Sequence, residues 1–90
     1  MTDNSKILAD ASKAKLILED ELFQSIFRAM KEHYYTKWLY TLPEEHEKRE
    51  RFWQAIHILE LVKDHLNGFV QNGTLTQAET DQIAYLKSHT

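Results

Sequence analysis

The groups in this chain that could do chemistry are five histidines, fourteen carboxylates and a concentration of aromatic side chains around its only proline. His57 and Glu60 stand three residues apart, and Asp64 lies one turn further on, a spacing that can set metal ligands on one face of a helix. Phe52, Leu59 and Leu66 claim the opposite, apolar side of the same helix, so the expected state of His57, Glu60 and Asp64 is a solvated polar face. Di-metal helical bundles use inward Glu-x-x-His pairs, and no glutamate here has a histidine three residues later. The zinc-protease pattern His-Glu-x-x-His is also missing. Gly68 and Gly73 are the only glycines, so no phosphate-cradling loop is available. His33 beside Tyr34 reads as a solvated helix residue. No local signature supports a nucleophile, and the chain is expected to be non-enzymatic, with no cofactor and no metal.

What remains is recognition. Tyr34, Tyr35, Trp38 and Tyr40, then Trp53 after a charged run, bring both tryptophans and three of the four tyrosines to one stretch. Aromatic side chains dominate interface energetics, so these five are the predicted partner-binding residues. Lys48-Arg49-Glu50-Arg51 is the densest basic spot, interrupted by Glu47 and Glu50, and reads as a solvated face or a rim contact to an acidic partner.

The elements that would position them are helices. Two glycines, one proline and few β-branched runs favour helix throughout. Ninety residues make a single domain, 1–90. Asp3, Asn4 and Ser5 are N-cap candidates for a first helix over about 5–18, with Ile7, Ala11, Ala14 and Leu18 at helical spacing and Lys6, Lys13 and Lys15 facing away. Asp20 is a candidate cap for a second helix, 21–41, although a single bent helix over 5–41 is the alternative. In that second helix Leu22, Ile26, Met30, Tyr34 and Trp38 form a row beside Phe23 and Phe27, a broad apolar stripe expected to face a core.

Thr41 to Glu44 fits a capping box, with Pro43 in the first turn of a third helix over 43–72 and a Glu47–Arg51 ion pair on its surface. Phe52, Leu59 and Leu66 form its seam, flanked by Ile56, Val62, Phe69 and Val70. Gly68 is a candidate either for close backbone approach or for early fraying of the helix. Asn72-Gly73 is the expected stop, and Thr76 to Glu79 a second capping box opening a short helix, 77–87. The same segment resembles the start of a helix-turn-helix, but the last helix lacks the basic character of a recognition helix.

A reversal at Leu42–Pro43 would pair Tyr34 with Phe52 or Trp53, Met30 with Ile56, Phe27 with Leu59 and Phe23 with Val62, apolar against apolar throughout. The predicted fold is therefore all-α, an antiparallel helical hairpin with short N- and C-terminal helices. Two helices leave half their apolar stripes in water, so dimerisation into a helical bundle is expected to complete it.

Composition narrows the partners. The formal charge is −3, with six acids against six bases in residues 1–42 and eight against five in the rest. That balance offers no basic stripe for nucleic acid. No apolar run reaches membrane-spanning length, and no secretory leader is evident, so a cytoplasmic chain without membrane contact is expected. The absence of cysteine excludes disulfides and thiolate metal sites.

Ile17 to Phe23, Tyr34 with Trp38, Thr41 to Glu45, Arg49 to Trp53 and the Leu59 to Leu66 run together resemble small, mostly uncharacterised tailed-bacteriophage and prophage proteins of similar length. Residues 1–14 and those after Gly73 fall outside the likeness. The resemblance implies a phage-encoded protein acting in the host cytoplasm or the virion, among head-assembly genes, with a protein partner from phage or host. The expected function is a self-associating interaction module, a dimer by preference, that serves virion assembly. The alternative is an inhibitor of a host enzyme or defence complex, binding through the acidic Glu44–Glu50 surface.

Overall fold

A computed structural model describes residues 4–88, and among them every regular element is a helix: α1 (Asn4–Glu19), α2 (Glu21–Leu39) and α3 (His46–Ser88). Asp3, a cap candidate, lies outside the described residues. The break between α1 and α2 falls where the sequence places it. Asp20 adopts an extended backbone, φ −67° and ψ 125°, and its carboxylate accepts the Phe23 N–H at 2.8 Å. That bond satisfies one of the orphan donors at the start of α2, and the acidic Glu21 follows in its first turn.

The second boundary differs from the expectation of a helix starting at Pro43. Leu42 accepts the Glu45 N–H at 2.9 Å, which closes a turn with Pro43 at the position where its fixed φ is favourable. The glutamate that reaches back is Glu45, whose Oε1 accepts the Leu42 N–H at 2.8 Å, not Glu44. Thr41 is no cap either: its hydroxyl donates to the Trp38 carbonyl at 2.6 Å and accepts from Arg49 Nη1 at 2.8 Å. Helix α3 opens after Glu45, whose carbonyl takes the Arg49 N–H at 3.0 Å.

The expected stop at Asn72-Gly73, with separate helices over 43–72 and 77–87, is not found. α3 runs unbroken for 43 residues through both glycines, neither of which has a positive φ. Thr76, read as a cap, is buried at 7% exposure. The hydroxyls of Thr74 and Thr80 donate to the Val70 and Thr76 carbonyls four residues back, so these residues are satisfied inside a helix. Packing against α1 supplies what the local stop signal does not anticipate.

The chain divides into two compact units, one joining the residues up to Leu18 with those from His65 onward, the other comprising Glu19–Asp64. In the first, Ala14, Gly73 and Thr76 are buried, and Ile7, Ala11 and Leu18 half-buried, while Lys6, Lys13 and Lys15 are exposed as expected. The close backbone approach is at Gly73 rather than Gly68. A Cβ added to Gly73 would lie 2.2 Å from Ala11 Cβ, whereas one on Gly68 would meet nothing within 4 Å. α1 can seat on α3 because the residue opposite Ala11 has no side chain.

In the second unit, side chains of α2 contact the start of α3: Phe27 lies under Lys63, Lys31 pairs with Glu60, and Trp38 packs near Trp53. Phe27 thus finds its cationic neighbour one turn beyond the Leu59 expected from equal rise about Pro43. The turn at Leu42–Glu45 sits after Tyr40 and Thr41, which continue the path of α2 through bonds to the Thr36 and Trp38 carbonyls. The inward face of α2 is Phe23, Phe27, Lys31, Tyr34 and Trp38. Leu22, Ile26 and Met30, expected to join that row, are 68%, 51% and 41% exposed. On α3 the seam residues Phe52, Ile56, Leu59, Leu66 and Val70 are half-buried, but Val62 and Phe69 are exposed.

Candidate interaction surface

The Glu19–Asp64 unit carries all five aromatic residues singled out above, and it divides them. Tyr35, Trp38 and Trp53 form one cluster. The Tyr35 and Trp38 rings stack at 6.0 Å, the two indoles are tilted with centroids 6.3 Å apart, and the Arg49 guanidinium sits 4.7 Å from the Trp38 centroid. Arg49 is held there by its bond to Thr41, so its charge is spent on the indole face. His46 and Glu50 border the same shallow pocket beside the two tryptophans. Trp53 and Tyr35 remain more than half exposed. Tyr34 instead turns inward, half-buried, with His33 edge-on at 5.4 Å.

Tyr40, 81% exposed, lines a separate groove with Lys37, Lys48, Arg51 and Phe52. The Lys37 ammonium lies 5.9 Å from the Phe52 centroid. Glu45 is the single carboxylate in this groove, and it is engaged by the Leu42 N–H and, at 2.9 Å, by Lys48. The expected Glu47–Arg51 ion pair is not formed among the described residues, and Arg51 faces the groove instead. The groove is therefore cationic in a chain of net charge −3. Its basic character was hidden in the sequence because Lys37 belongs to another helix than Lys48 and Arg51, and the intervening glutamates point elsewhere.

Glu60, read as part of a solvated face with His57 and Asp64, lies against α2, where it forms an ion pair with Lys31. No group of three His, Asp or Glu side chains able to hold a metal occurs among the described residues. Two carboxyls titrate below their ordinary value of 4.5. Glu45 is lowered first by the Leu42 N–H and then by Lys48, and Glu60 first by its hydrogen bond to Lys31. A carboxyl whose folded pKa is depressed stabilises the fold above its unfolded pKa and loses that contribution as pH falls through the folded value. Acidification below about pH 4.5 is thus expected to weaken both contacts. In urea melts, Glu60→Gln should be less stable than the parent at neutral pH, with the gap closing towards about pH 3. A gap independent of pH would contradict the ion pair.

The described residues form an all-α chain that exposes aromatic, apolar and cationic side chains. Among the described residues no helix is long and apolar enough to cross a membrane. No protein-family model, curated protein or solved structure matches this chain.

Proposed function

We propose that this chain is a non-enzymatic helical interaction module whose antiparallel hairpin, α2 with the first half of α3, self-associates and docks on a larger protein. The observation that carries this reading is the mismatch between core and exposed apolar surface. In the Glu19–Asp64 unit Phe27 is the only buried large apolar side chain among the described residues, while Leu22, Ile26, Met30, Leu39, Trp53 and Ile58 are exposed. Exposed apolar surface on this scale marks interaction sites in small proteins. The resemblance to tailed-phage proteins supports a role in virion or head assembly, with the Tyr35–Trp38–Trp53 cluster as the docking surface. The alternative, an inhibitor acting through acidic residues 44–50, draws less support, because Glu45 is engaged and the neighbouring groove is cationic.

Trp53→Ala tests the docking role at an exposed position. It should leave helix content and self-association in place and reduce binding to purified virions or head precursors of the encoding phage by about tenfold or more. Trp38→Ala should do the same with an added loss of stability, since Tyr35, Trp53 and Arg49 all pack on that ring. Unchanged binding in Trp53→Ala would remove the cluster from the proposal.

A further inference from the structure

Three cations meet on one groove of the Glu19–Asp64 unit. Lys37 on α2 and Tyr40 at its C-cap stand three residues apart, as do Lys48 and Arg51 on α3, and that spacing makes each pair neighbours on one side of a helix. Phe52 lines the groove with them. Glu45 is the single carboxylate of the lining, and both its oxygens are engaged, one by the Leu42 N–H and the other by Lys48. Lys37 and Arg51 have no carboxylate within ion-pair distance among the described residues, although the chain carries fourteen acids against eleven bases. Positive charge thus stands uncompensated beside two aromatic side chains, in a chain whose overall balance is acidic.

We propose that this groove binds an acidic peptide segment of a protein partner, with carboxylates on Arg51 and Lys37 and one large apolar or aromatic side chain laid against Tyr40 and Phe52. The groove shares no lining residue with the pocket at Trp38 and Trp53, so this surface and the indole cluster can each fail without the other.

Charge and wall chemistry together choose among anions. Neighbours at the Lys48–Arg51 spacing have Cβ atoms about 5–6 Å apart, and Lys37 comes from the other helix, so the positive charge is spread over the groove rather than gathered at one point. Carboxylates two residues apart on an extended chain are separated by about 7 Å, within reach of such long side chains. A free oxyanion would leave Tyr40 and Phe52 uncovered, whereas a peptide brings a side chain for them, and tyrosine and arginine are the residues that protein interfaces favour. A nucleic-acid strand would carry its charge on past the groove, where Glu44, Glu47 and Glu50 are exposed on the same stretch as Lys48 and oppose it.

Titration of the full chain with the blocked peptide Glu-Asp-Phe-Glu-Asp, followed by nuclear magnetic resonance, tests the proposal. Saturable shifts are expected at Lys37, Tyr40, Arg51 and Phe52. Arg51→Glu should weaken binding by about tenfold or more, and Lys37→Glu should do likewise. Lys6→Glu makes the same change in net charge on exposed α1 and should alter binding by less than about twofold. Replacing the phenylalanine of the peptide by alanine, or Tyr40 by alanine, should weaken binding severalfold. Trp53→Ala should leave it in place. Circular dichroism checks that each variant keeps its helices. No saturable shift at the groove, equal losses in Lys6→Glu and Arg51→Glu, or loss in Trp53→Ala would overturn the proposal. So would tighter binding of inorganic phosphate or of a short oligothymidylate at the same residues, which would assign the groove to phosphate. None of these results bears on whether the indole cluster docks on virions, which the Trp53→Ala virion assay reads separately.

Discussion

Gly73→Ala should destabilise the unit formed by α1 and the second half of α3 by about 1–2 kcal/mol, while Gly68→Ala in the same helix should stabilise the chain by up to about 1 kcal/mol. Both substitutions gain the same helix propensity, since alanine restricts the unfolded chain more than glycine does. They differ in what the new methyl meets. At Gly68 it enters open space, but at Gly73 it would stand 2.2 Å from Ala11 Cβ and 3.7 Å from Ala11 Cα. The Ala11 methyl has no rotamer that would carry it away from the new Cβ, so α1 must shift, and overpacking of this kind costs more than the propensity gained. Urea melts of the two variants and the parent measure the difference directly. Equal effects would mean that α1 does not seat on α3 at Ala11. The double variant Ala11→Gly/Gly73→Ala should recover part of the loss, because it removes the second methyl.

Phe27→Ala is expected to cost about 3 kcal/mol. Phe27 is 6% exposed, packs on Phe23 at 5.6 Å between ring centroids, and lies 5.3 Å beneath the Lys63 ammonium. Truncation removes its buried area, leaves a cavity between α2 and α3, and strips Lys63 of its ring partner. Domains of this size have only a few kcal/mol in reserve. The variant should therefore lose most of its cooperative melt, whereas Ile26→Ala at the adjacent exposed position should melt within about 0.5 kcal/mol of the parent when monomeric. Similar melts for both would contradict the inward placement of Phe27.

These cases show what the sequence could tell and what it could not. The Asp20 boundary was legible because a cap is local chemistry: a carboxylate, an N–H three residues on, and an acidic first turn. The inward-facing Phe27 and the packing of Ala14 were legible from periodicity. The stop at Gly73 was misread because a glycine that ends a helix and a glycine that admits a neighbouring helix look alike until the neighbour is known. Here the neighbour is Ala11. The proline was read as opening the third helix, but it serves a turn at Leu42–Glu45 ahead of α3, a shift of one residue in the glutamate that reaches back.

The aromatic corner was legible as a concentration of residue types and not as a site. Its division into an indole cluster with Arg49 on one side, and a cationic groove with Tyr40 on the other, follows from which side of each helix a residue occupies. One residue of phase separates Leu22 from Phe23, and that phase decides between an exposed row and a core row. The row over Leu22, Ile26 and Met30 satisfies helical spacing as well as Phe23, Phe27 and Tyr34 do, and an isolated chain can bury only one of them. The other is left exposed.

Self-association of the chain through its exposed apolar surface underlies the proposed function. Sedimentation equilibrium of the parent protein over a wide concentration range tests it most directly. The expected mass approaches twice the 10.7 kDa of one chain, with Ile26→Asp returning the mass towards that of a single chain while retaining its helices. A single-chain mass for the parent throughout that range would contradict it.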